Sequence, residues 1–176
     1  MEGAEGSAGS EGPDPVANEL LPVLTLYRAF LSAMAENLSP LALQTVYRTI
    51  AQSISDYLYG RLASKVYSLE GGQQLLTDIN QGWLKAARDA GVRRPEAGLQ
   101  RLSDAAKVLA LPTSVDASQA EVPGSSHGVT LAQGMAAAWD DEQPSIRCEA
   151  LQKALEIQLN QHEIKVLLKR RRDCWR

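Results

Sequence analysis

Aromatic residues are scarce in this chain, at 5% of 176 positions with a single Phe. A core here cannot rest on ring packing and must be built from Leu, Ala, Ile and Val, a mixture that favours helices packed on helices over a β-sandwich. Cysteine is scarcer still. Cys148 and Cys174 are too few for a disulfide scaffold, and a reducing compartment is the simpler reading. A basic excess is also missing: the formal net charge is −3, and away from the last few residues no basic stripe of the kind that grips nucleic acid is present. No apolar run reaches the ~18 residues of a membrane-spanning helix. The first residues, Met1 to Asp14, are Glu, Gly and Ser without the apolar segment of a secretory leader. The expectation is a soluble chain, held at a membrane at most through partners.

What the chain does have is helical periodicity. Residues 1–16 offer almost nothing to bury and read as a disordered tail. From about Val16 to Asn37, Leu20, Leu24, Tyr27, Leu31 and Met34 recur at three- and four-residue steps, and Val23, Leu26 and Phe30 widen the same apolar face. Ser39-Pro40 supplies a cap and a first-turn proline for a second helix to about Ser64, with Leu43, Val46, Tyr47, Ile50, Ile54, Tyr57, Leu58 and Leu62 as its stripe. The short connection predicts two antiparallel neighbours. Ser68 caps a third helix ending near Ala90, with Gly91 as its stop, and Leu75, Leu76, Ile79, Trp83 and Leu84 facing inward. A fourth opens at Arg94-Pro95-Glu96 and ends at Pro112. Residues 112–128 read as a flexible connection. Three shorter helices follow, over 130–139, 145–157 and 161–171, the last opened by an Asn160/Glu163 capping pair.

Chemistry is hard to find. A triad of His127 with a nearby serine and Asp104 or Asp116 would sit in or near the flexible connection, where no geometry is held. Cys148, Cys174, His127 and His162 fit no zinc spacing. Gly71-Gly72 lacks the lysine and the preceding strand of a phosphate loop, and reads instead as a place where another backbone approaches closely. Asp78 reads as a locally hydrogen-bonded carboxylate rather than an acid catalyst. Lys169-Arg170-Arg171-Arg172 closes the last helix, where cations suit the dipole. The same four residues are the candidate contacts for an acidic partner or anionic lipid.

The stretch with most information is Tyr67 to Asp78. Tyr67, Ser68, Gly71, Gly72, Gln74, Leu75 and Asp78 resemble the signature of the RINT/TIP family, with Tyr67 standing for the usual Phe and Gly72 for the usual Ala. Arg94-Pro95 with Leu102, Ala105, Ala106 and Leu109 is similar to the family's next helix, and Leu155 to Arg172 is similar to its tail. The resemblance covers roughly residues 20–111 well and 145–173 loosely. It implies a helical rod of the vesicle-tethering type: a subunit of the Dsl complex, called NRZ in animals. That complex sits on the endoplasmic reticulum, captures COPI-coated vesicles returning from the Golgi, and binds SNARE proteins. It implies as well that this chain corresponds to the C-terminal domain alone, without the upstream helical domains and the partner-binding N-terminal segment.

The expected fold is all-α, an antiparallel bundle of about six or seven helices. A tail over 1–16, a main bundle over 17–111, a connection over 112–128 and C-terminal helices over 129–176 make up its organisation. The expected function is non-enzymatic, with no cofactor, metal, small-molecule substrate or nucleic acid. Partners are SNAREs and other tethering subunits, met through helix surfaces on the cytoplasmic side of the endoplasmic reticulum. A generic helical interaction module of an unrelated scaffold is the alternative.

Overall fold

A computed structural model describes residues 16–113, 129–139 and 144–175. The expected tail, apart from Val16, and the expected connection beyond Thr113 lie outside the described residues, as do His127 and Asp116. Seven helices account for most of what is described, and no strand occurs among the described residues. A 3₁₀ turn, Asn18–Leu20, leads into α1 (Leu21–Asn37), then α2 (Pro40–Leu62). A single continuous helix follows, made of α3 (Leu69–Thr77), a π-helical stretch (Asp78–Leu84) and α4 (Lys85–Asp89). Next come α5 (Glu96–Leu109), α6 (Leu131–Trp139), α7 (Pro144–Leu155) and α8 (Gln161–Leu168), and the chain closes on a 3₁₀ turn, Arg172–Trp175.

The boundaries follow from capping chemistry. Ser39 Oγ accepts the Ala42 N–H at 3.4 Å, and Pro40 occupies the first turn, where its missing N–H costs nothing. At α8 the capping box is complete: Asn160 Oδ1 accepts from Glu163 N at 2.9 Å and Glu163 Oε2 from Asn160 N at 3.0 Å. The long third helix stops at Gly91, whose φ of +86° suits a residue without Cβ. There Gly91 N–H bonds Arg88 O and Val92 N–H bonds Ala87 O, satisfying two of the last carbonyls.

Helix α5 is the hub. It packs on α2, α3 and α8, and Leu99, Leu102, Ala105, Ala106, Val108 and Leu109 are buried along it. Two polar bonds fix the α2–α5 crossing: Tyr47 Oη donates to Pro95 O at 3.0 Å, and buried Ser55 Oγ accepts Leu102 N–H at 3.2 Å. Helix α1 packs on α4 more than on α2, and its Leu24 and Tyr27 reach Gly82 and Trp83 of the π stretch. Leu24 and Leu31 are buried there, and the Tyr27 and Trp83 rings meet at 4.8 Å, tilted by 59°.

Three expectations need correction. Val23, Leu26 and Phe30 do not widen the core face of α1: they stand 47%, 73% and 46% exposed, and Val46 and Tyr57 of α2 are exposed likewise. With Leu24 against Gly82, Tyr27 against Trp83 and Leu31 buried on the same face, residues about a quarter-turn or more away meet solvent. The third helix is not regular, because its turns widen over Asp78–Leu84. The last helix ends at Leu168 rather than Arg171, so the basic run falls in the turns beyond it.

Candidate functional site

The family-signature residues gather at one junction, where the start of α3, the end of α5 and the segment after α8 meet. Ser68 sits in extended conformation and its Oγ accepts Gly71 N–H at 3.2 Å, capping α3. Glu70 in the same turn has its carboxyl held below the usual range, first by its own backbone N–H and then by the Ser68 hydroxyl. The two glycines differ. A Cβ on Gly71 would meet only Ser68 Oγ at 3.5 Å and the Tyr67 ring at 3.9 Å, both of its own turn. A Cβ on Gly72 would lie 2.1 Å from Leu109 O and 2.5 Å from Leu109 C, inside the backbone at the end of α5. The close approach expected of the pair therefore belongs to Gly72 alone.

Gln74 Nε2 donates to Asp78 Oδ1 at 2.8 Å, and the same oxygen accepts Ala17 N–H at 2.9 Å. Asp78 thereby fastens the entry of the chain to the third helix, while half-buried Leu75 packs against the core. Tyr67 pairs by its main chain with the last turns: its N–H donates to Arg170 O at 2.7 Å, and its carbonyl accepts Arg172 N–H at 2.9 Å.

The basic run is split by this bridge. Lys169 and Arg172 are exposed and Arg170 is half-buried, but Arg171 is fully buried. Its Nη1 donates to Leu109 O at 2.6 Å and Leu111 O at 2.8 Å, and its Nη2 to Asp173 Oδ2 at 2.7 Å. The final carbonyls of a helix have no intrahelical partner and carry the negative end of its dipole, so a guanidinium placed there satisfies both. Arg171 is thus corrected from a candidate surface contact to an internal staple, which leaves Lys169 and Arg172 exposed and Arg170 half-buried.

Two polar residues that the sequence reading gave no structural part, Asp104 and Lys107, join α5 to the C-terminal third. Asp104 is buried in α5 and accepts Gln158 N–H at 2.8 Å and Gln100 Nε2 at 2.7 Å. Lys107 Nζ donates to Leu155 O at 3.0 Å and Glu156 O at 3.2 Å, closing the end of α7. No motif announces these joins, since the atoms met at Leu155, Glu156 and Gln158 are main-chain groups about fifty residues away. Asp104, weighed as a triad member, is a structural acceptor here.

A family model described as the RINT-1/TIP-1 family matches residues 4–171. No curated protein matches the chain, and no solved structure does.

Proposed function

The chain belongs to the RINT-1/TIP-1 family, a family of tethering-complex subunits, and from that premise we propose that it acts without catalysis in a complex that captures Golgi-derived vesicles at the endoplasmic reticulum. SNAREs and other tethering subunits are its partners, met through the outer faces of its helices. The observation that carries this reading is the family match across residues 4–171. The geometry is consistent with it. The polar atoms of the signature that the structure pairs are spent on the chain's own backbone and side chains, as expected of residues that build a scaffold. No helix among the described residues is long and apolar enough to cross a membrane, so attachment through partners, at the cytoplasmic face of that organelle, suits the chain. Lys169, Arg170 and Arg172 are the basic contacts we assign to partner or headgroup binding.

Affinity purification of the tagged chain from cells after mild crosslinking tests the proposal. Co-purification of endoplasmic-reticulum SNAREs and tethering subunits is the expected result. Their absence, with a helical circular-dichroism spectrum and a cooperative melt intact, overturns it in favour of a generic helical interaction module.

A further inference from the structure

Met135 and Trp139 on α6, Lys169 beyond α8 and Cys174 in the closing 3₁₀ turn line an open hollow of ≈ 180 Å³. Its lining is apolar apart from the lysine. A cavity of about 150 Å³ between apolar side chains takes up a benzene molecule, so this one has room for a single large apolar side chain. Methionine at such a wall adapts to the shape of what enters. The rim is cationic. Lys165 Nζ lies 5.3 Å from the centre of the Trp139 ring, Lys169 forms part of the wall, and Arg172 opens the turn that carries Cys174. Half-buried Arg170 adjoins them in the chain. Of the carboxylates on the neighbouring turns, Glu163 is engaged by Arg101 and by its own helix cap, and Asp173 by Arg171.

We propose that this hollow docks an acidic peptide segment of a partner, which inserts one large apolar side chain between Met135, Trp139 and Cys174 while its carboxylates meet Lys165, Lys169 and Arg172. Charge complementarity and side-chain-sized volume favour a peptide over a bilayer. A flat anionic surface uses the cations alone, and burial of Arg171 removes one of them. The inference rests on the reading of the chain as a partner-binding module and names the chemistry of one partner.

Cys174 reports on the site directly. Its alkylation by iodoacetamide is followed by mass spectrometry, with buried Cys148 as the internal reference. The probes are a synthetic peptide of alternating aspartate and glutamate with one central phenylalanine, the same peptide with alanine at the centre, and phosphatidylserine–phosphatidylcholine vesicles. The phenylalanine peptide should slow Cys174 alkylation about threefold at roughly twice its Kd, and the alanine peptide should not. Lys169→Glu, at an exposed position, should abolish the protection without altering the circular-dichroism spectrum. Because Asp140, Asp141 and Glu142 follow Trp139 in the sequence, the measurement is repeated on D140N/D141N/E142Q, in which this chain's own carboxylates can no longer compete. Protection in either protein supports the site. Protection in neither, or protection by vesicles and not by peptide, overturns it. Failure of the peptide alongside successful co-purification of tethering subunits removes only the docking site.

Discussion

At Gly72 a single hydrogen stands where a methyl would enter the backbone of α5. Gly72→Ala forces α3 and α5 apart, and overpacking of this kind costs about 1–3 kcal/mol. Gly71 one residue earlier meets no other helix, so Gly71→Ala should be neutral or gain about 0.5 kcal/mol from the lower entropy of the unfolded chain. Ser68→Ala should cost ~1 kcal/mol through loss of the α3 cap. Urea unfolding of the three variants checks the order: G72A below S68A, S68A below wild type, and G71A at or above wild type. An equal response of the two glycines would show that the α3–α5 approach is misplaced.

At the scale of the helix, capping residues made the boundaries readable and packing decided the rest. Ser39-Pro40, Ser68, Gly91 and Asn160/Glu163 announce helix ends because their chemistry is local. The outward stripe of α1 is not local. Val23, Leu26 and Phe30 share the helical spacing of Leu24, Tyr27 and Leu31, and only the position of α4 decides which row is buried. Leu24→Ala and Leu31→Ala should therefore cost about 2–5 kcal/mol, whereas Leu26→Gln and Phe30→Gln should stay within about 0.5 kcal/mol of wild type; thermal melts of the four variants separate the two rows. The π-helical stretch was equally unreadable, because widening a turn leaves no signature in composition. It keeps Trp83 against Tyr27 and Gly82 against Leu24. Arg171 escaped the sequence too: three of the four residues in its run face outward to some degree, and nothing in Lys-Arg-Arg-Arg singles out the one that turns in to meet Leu109 and Leu111. Arg171→Met removes the donor from two buried carbonyls and should cost about 3 kcal/mol. Faster hydrogen exchange at the Tyr67 and Arg172 amides would mark release of the closing turn; unchanged exchange there would mean that the main-chain bridge holds without the guanidinium.

For the whole molecule the question is what makes the first helices and the last behave as one body, and the answer runs through α5. Arg101 reaches Asp56 of α2 on one side and Glu163 of α8 on the other. Asp104 and Lys107 hold the turn between α7 and α8. Of these groups Asp104 leaves a trace in the pH dependence of stability. Burial pushes its carboxyl above the ordinary aspartate value, against the opposing pull of the Gln158 N–H, Gln100 and Lys107. The folded chain therefore binds this proton more tightly than the unfolded chain. Its contribution is fully present below the unfolded value of about 3.9 and is lost as pH rises through the folded one. Glu70 and Glu96 act in the opposite sense. The first is lowered by its own backbone N–H; the second, although burial raises it, is brought down by Arg88, so their contributions are lost as pH falls. Asp104→Asn keeps an oxygen for the Gln158 N–H and never ionises. The stability of D104N relative to wild type should rise with pH from about 4 upward and then level off, while Glu70 and Glu96 cancel in the difference. Asp104→Ala removes the buried acceptor of the Gln158 N–H and Gln100 Nε2 and should cost about 1–3 kcal/mol at neutral pH. Urea titrations across that range decide the matter: parallel curves for wild type and D104N would mean that Asp104 is already solvated, and that the join between α5 and the C-terminal third rests on Lys107 and apolar packing alone.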